Sequence, residues 1–106
     1  MLPRDLRVNF KDPLGGWRFF RKTPEFLVRV RPFPAVRFAV TVSIKVAKKS
    51  NRRNLLKRRT KSVILKNFGR FKTAVKVKND YWISILPPAN NLSKKEFEEK
   101  LIKILF

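Results

Sequence analysis

The sequence predicts a single α+β domain with a two-layer core, and three stretches predict it. Residues 36–46 alternate between apolar and small or polar side chains, as a strand buried on one face does. Residues 93–105 open with a capping box and keep one apolar stripe at helical spacing. Between them, a helix beginning near Ser50 sets Leu56, Thr60 and Val63 on one side and a dense row of cations on the other. At 106 residues the chain suits one modest core. With 43% hydrophobic residues and ten Phe, it buries enough apolar surface to oppose the cost of ordering the backbone.

Residues 1–24 form an irregular, aromatic and basic N-terminal segment. Pro3, Pro13, Gly15, Gly16 and Pro24 exclude a long helix and predict loops with at most one short turn. Trp17, Phe19 and Phe20 stand among Arg18, Arg21 and Lys22. Such a mixture either stacks unpaired bases while its cations hold phosphates, or plugs the open end of a small core. Phe26 to Val30 is a short strand, ended by Pro32 and Pro34.

In the alternating stretch, Val36, Phe38, Val40, Val42, Ile44 and Val46 are expected to face the core. The opposite face carries Arg37, Ala39, Thr41, Ser43 and Lys45, a shallow trough with a cation at each end that suits an extended ligand. An ordinary solvent-facing side of a sheet has a similar composition.

The helix after Ser50 places Arg53, Lys57 and Lys61 in one i, i+4 row, with Asn54 and Arg58 beside it, and is expected to end between Asn67 and Gly69. Phe71, Thr73, Val75 and Val77 alternate with Lys72, Ala74, Lys76 and Lys78 and predict a further strand. It would pair as a hairpin with Tyr81 to Leu86, a strand stopped by Pro87 and Pro88. In the last helix Ser93 is the N-cap, Glu96 closes the box, and Leu92 is placed to staple against Phe97. Phe97, Leu101, Ile104 and Leu105 form its buried stripe, while Glu96, Glu98 and Glu99 suit the helix dipole better than a metal.

Charge narrows the function. Lys and Arg number 27 against 7 acids, for a net charge of +20. Nine of the cations fall between Ser43 and Lys61 without one acid. Like charges stacked at i, i+4 repel by roughly a few tenths of a kcal/mol per pair, a term that a polyanion reverses. With no Cys and no His, disulfides, thiolate zinc sites and a histidine base are excluded, and hydrolysis by this chain alone is not expected. No apolar run approaches the ~18 residues of a membrane span, and no signal-peptide core is visible, so a cytoplasmic protein is expected. A DNA-binding regulator lacks the preceding helix of a helix-turn-helix. A nuclease using Asp5, Asp12, Glu25 and Asp80 on a metal lacks clustered ligands.

The segment RFAVTVSIKVAKKSNRRNLLKRR resembles the signature region of the bacterial ribonuclease P protein component. The matching residues are Ser43, Lys45, Val46, Lys48, Arg53, Asn54, Lys57 and Arg58. DYWISILPPANNLSKKEFEEKLIKIL is similar to that family's closing strand, polar turn and last helix, and MLPRDLRV to its opening. Leu55 and Ile44 stand where cations are frequent, and Pro13, Gly15 and Gly16 interrupt the family's first helix.

The resemblance implies an α+β fold in which a small sheet is backed by helices, of the kind called ribosomal-protein-S5-domain-2-like, with a left-handed crossover through the basic helix. It implies a non-catalytic subunit, a monomer in a 1:1 ribonucleoprotein. The partners are the catalytic RNA, which cleaves with Mg²⁺, and precursor tRNA; neither DNA nor membrane is involved. The RNA-binding set is Lys48, Lys49, Arg52, Arg53, Asn54, Lys57, Arg58 and Lys61. The set for the single-stranded 5′ leader is Arg37, Ala39, Thr41, Ser43 and Lys45 with Phe19 and Phe20, and no residue is assigned to a metal. A ribosomal-type structural RNA binder would share the size, charge and aromatic-basic mixing.

Overall fold

The computed structural model describes residues 7–8, 16–33, 36–67 and 79–105. Four strands form one sheet: β1 (Arg18–Lys22), β2 (Phe26–Pro32), β3 (Arg37–Val42) and β4 (Asn79–Ile85), in the spatial order β1-β2-β4-β3. Helix α1 (Ser50–Lys66) follows β3, and a 3₁₀ turn (Pro87–Asn91) leads from β4 into helix α2 (Lys94–Leu105). β1 and β2 are antiparallel, as are β2 and β4, whereas β3 runs parallel to β4. That parallel pair makes β3, α1 and β4 a crossover unit. The result is the two-layer α+β domain of the sequence reading, with a small sheet backed by helices.

The register settles the two faces of the sheet. Phe26, Val28, Phe38, Tyr81, Ile83 and Ile85 share the face that carries the core, and there meet Leu56, Val63 and Ile64 of α1 and Phe97, Leu101, Ile104 and Leu105 of α2. Ring packing ties this layer together, with Phe26 edge-on to Phe97 at 5.1 Å and Phe38 stacked on Tyr81 at 5.8 Å between centroids. Burial pushes the Tyr81 phenol above its ordinary value of 10.0, against smaller opposing effects of a hydrogen bond with Asn79 and the charge of Arg21. The other face, bearing Arg31, Asp80, Trp82, Ala39 and Thr41, looks away from both helices.

α2 begins as its sequence demands. The Glu96 N–H donates to Ser93 Oγ at 3.2 Å, and the Ser93 N–H donates to Glu96 Oε1 at 3.3 Å. Leu92 packs against the core beside it. α1 lacks a side-chain cap at Lys49 and ends one turn after Val63, where Asn67 donates from its backbone and its Nδ2 to the Val63 carbonyl.

Four expectations change. Residues 18–22, read as loop, form edge strand β1, because a bulge between Phe19 and Arg21 hides the period-2 signal. β3 stops at Val42 rather than Val46: the chain turns over Ile44–Val46, with the Val46 N–H donating to the Ser43 carbonyl at 3.1 Å. Val46 returns to the core, but Ile44 is 67% exposed and is no core residue. Pro32 ends β2 inside the sheet, beyond the stretch of β2 that β1 covers, so its missing N–H deprives no partner there. The strand expected at 71–77, and its hairpin, lie outside the described residues.

Candidate nucleic-acid interface

The outward face of the sheet is built around one carboxylate. Asp80, fully buried at 0% exposure, accepts from Arg31 Nε at 2.7 Å and from Arg37 Nε and Nη2 at 2.7 and 2.8 Å. Register brings the three together, since Arg31 and Arg37 flank Asp80 on the neighbouring strands. A buried carboxylate tolerates loss of water only when its oxygens are paired in this way. Aromatic rings finish the arrangement: the Arg37 guanidinium lies 3.4 Å from the Phe33 ring centre and that of Arg31 4.6 Å from Trp17. Arg37, read from sequence as one end of the trough, is therefore a wall of it and not an exposed cation.

Beside this knot the face is open. Trp82 meets Trp17 edge-on at 5.5 Å and Arg29 lies 5.0 Å over Trp82. The Trp82 indole N–H donates to Thr41 Oγ1 at 3.0 Å, and the Thr41 hydroxyl lies 3.4 Å from Ser84 Oγ as its donor. Thr41 and its neighbour Ala39 keep the floor low, while Ser43 and Lys45 are exposed beyond the end of β3. Ala39 and Thr41 thus share the open face as the alternation predicted, whereas Ser43 and Lys45 lie past the end of the strand, where the chain turns. Sequence reading missed Arg29, Trp82 and Ser84 as members of this surface. Period 2 in β2 and β4 carried the signal, but pairing of those strands with β3 was needed to read it.

The basic helix divides its cations by task. Arg53 Nη1 donates to the carbonyls of Ala47 and Lys48, both at 2.8 Å, and fixes the loop that enters α1. Arg52 donates to Asn90 through Nε to Oδ1 at 2.7 Å and through Nη2 to its carbonyl at 2.8 Å, tying α1 to the 3₁₀ turn. Asn54, Lys57, Arg58 and Lys61, with Asn51, line a shallow concavity on the outer side of the helix. Lys48 and Lys49 are exposed just ahead of it. Among the described residues none of Lys57, Arg58 and Lys61 is paired with a carboxylate.

The two expected aromatics separate. The β1 bulge sends Phe19 outward, 68% exposed, while Phe20 turns inward, edge-on to Tyr81 at 5.9 Å. Phe20 is therefore a core-edge residue and Phe19 a solvent-facing ring. Of the carboxylates considered for a metal, Asp80 is held by two guanidinium groups and Glu25 lies 3.4 Å from Lys100 Nζ. Asp5 and Asp12 lie outside the described residues. Among the described residues, no helix is long and apolar enough to cross a membrane.

Comparison with known proteins agrees with the fold. Residues 15–106 match the family described as Ribonuclease P. No curated protein sequence matches the chain at a significant level. The fold is similar to that of the Staphylococcus aureus RNase P protein, with a TM-score of 0.66 and 21% identity over 84% of this chain and 78% of that one. A Staphylococcus aureus RNase P protein mutant with defective mRNA degradation activity gives a TM-score of 0.70 at 18% identity, over 95% of this chain and 86% of that one. The Thermotoga maritima RNase P protein gives 0.69 at 21% identity, over 84% and 81% of the two chains. Matched from the start of the first strand to the last helix, the chain belongs to the Ribonuclease P family, that of the bacterial ribonuclease P protein component.

Proposed function

We propose that the chain acts as the non-catalytic protein subunit of ribonuclease P, holding the catalytic RNA against α1 and the single-stranded 5′ leader of precursor tRNA along the open face of the sheet. The observation that carries this reading is the division of the surface into two cationic faces of different shape. One is the outer side of α1, where Asn54, Lys57, Arg58 and Lys61 line a shallow concavity suited to the packed phosphates of a folded RNA. The other is a low, aromatic-edged trough over Ala39, Thr41 and Trp82, where an extended strand can lay bases on a ring and phosphates near Arg29 and Lys45.

Neither face requires hydrogen bonds to base edges, so leader recognition is by shape and charge with modest sequence preference. Asp80 and Arg37 hold the trough in shape before RNA arrives, which lowers the ordering cost of binding. The acids Asp80 and Glu25 are engaged by cations, so the Mg²⁺ used for strand cleavage fits the RNA partner and not these side chains.

Ser43→Glu tests the leader path, because it adds a negative charge where phosphates should pass without touching the core. With a leader of several nucleotides, the variant in complex with the RNA should lose about 1–2 kcal/mol of substrate affinity. With a one-nucleotide leader it should bind like the wild type. Equal losses on both substrates would exclude a leader site here and favour the ribosomal-type RNA binder.

A further inference from the structure

The helical layer, on the side of the sheet away from its open face, holds a groove between α1 and α2. On α1, positions 55, 58, 59, 62 and 66 line it in one stripe at helical spacing, about a quarter-turn around the helix from the concavity at Asn54, Lys57 and Lys61. On α2, Lys94, Phe97 and Glu98 form the facing wall.

Burial grades this lining into an apolar floor and a cationic rim. Leu55 is half-buried and Val63 and Phe97 are buried, whereas Arg58, Lys66 and Lys94 are exposed and Arg59 is half-buried. Among the described residues Glu98 is the single carboxylate of the lining, and none of the four cations is paired with a carboxylate. Four cations around one apolar patch repel one another, and the field of a +20 chain adds to that repulsion. An anion on the rim relieves both.

The floor decides which anion. Phosphates gain nothing from apolar surface, and Phe97, 1% exposed, presents no ring face on which an unpaired base could stack. The groove encloses about 280 Å³, less than the ~300–1,000 Å³ of small-molecule sites. That space fits one bulky side chain, with its chain neighbours left at the rim. An aliphatic side chain flanked by carboxylates satisfies the floor and the rim together.

We propose that the groove between α1 and α2 docks an acidic segment of another protein, which inserts one aliphatic side chain beside Leu55 and sets its carboxylates against Arg59, Lys66 and Lys94. The site adjoins the outer concavity of α1 at Arg58, which lines both, but it does not depend on the RNA-binding reading.

The test uses the full chain, free of RNA, with two fluorescein-labelled peptides of about nine residues, one of glutamates around a central leucine and one of glutamates alone. Fluorescence anisotropy should show the leucine peptide binding about tenfold more tightly than its control, the increment for burying one aliphatic side chain. Leu55→Lys should erase that difference without weakening the control. Lys66→Glu with Lys94→Glu, both at exposed positions, should lower binding of the leucine peptide by about tenfold and leave the thermal transition unchanged. With photo-leucine in the central place, the wild type should crosslink at the segments bearing Leu55 or Phe97, identified by mass spectrometry. Equal affinity of the wild type for the two peptides, binding that withstands the double charge reversal, or crosslinks confined to other faces would overturn the proposal. A 4-thiouridine-substituted oligouridylate that crosslinks in the groove and resists displacement by the leucine peptide would assign the site to RNA and overturn it as well.

Discussion

Asp80 accepts hydrogen bonds from two guanidinium groups that would otherwise sit close together in a buried site, so its loss exposes each to the other. Removing one partner of a buried charged pair typically costs about 3–5 kcal/mol, and Asp80→Ala should lower the unfolding free energy by that amount in urea. A loss under ~1 kcal/mol, the scale of an exposed pair, would contradict the knot. Tyr81 makes a second prediction. Its phenol stays neutral in the fold above its ordinary value of 10.0, because burial disfavours the phenolate. The stabilisation is fully present below that value and is lost as pH rises toward the higher folded value, because the unfolded chain ionises first. Wild type should therefore lose stability above about pH 10 more steeply than Tyr81→Phe, and parallel profiles would show that Tyr81 is not the cause. At this scale the sequence was least legible. The sequence assigns Asp80 no role, since its partners lie 49 and 43 positions away and only strand pairing shows the contact.

Helix α1 was legible in outline, because apolar residues at helical spacing state which side is buried: Leu56, Thr60 and Val63 are buried as their phase requires. α2 was legible to the residue, as a capping box is a local signal that tertiary packing need not complete. β1 was not, because its bulge breaks the alternation and flanking Gly and Pro suggest a loop. Nor did the run of cations on α1 reveal which of them are structural. The division of labour gives a prediction at this scale. Lys57→Ala or Arg58→Ala should each reduce the salt dependence of RNA binding by about one unit with little effect on stability. Arg52→Ala should instead cost about 1.5–3 kcal/mol of stability, the range for charged hydrogen bonds, by releasing Asn90 from α1. An unchanged salt slope in both Lys57 and Arg58 variants would remove this side of α1 from the interface.

For the molecule as a whole, the +20 net charge opposes compaction, and an RNA bound only by the folded chain would offset that repulsion. The same charge, dense from Ser43 to Lys61, made a polyanionic partner legible from sequence; the fold divides the cations between the outer side of α1 and the open face of the sheet. The proposed function is that the chain assists an RNA catalyst without supplying the chemistry. It is tested most directly by adding scrupulously RNA-free protein to a bacterial ribonuclease P RNA and following 5′ leader release from precursor tRNA as Mg²⁺ is lowered. The protein alone should leave the substrate intact, and with the RNA it should shift the Mg²⁺ needed for cleavage downward. Leader release by the protein alone, or a Mg²⁺ requirement of the RNA that the protein leaves unchanged, would contradict that function.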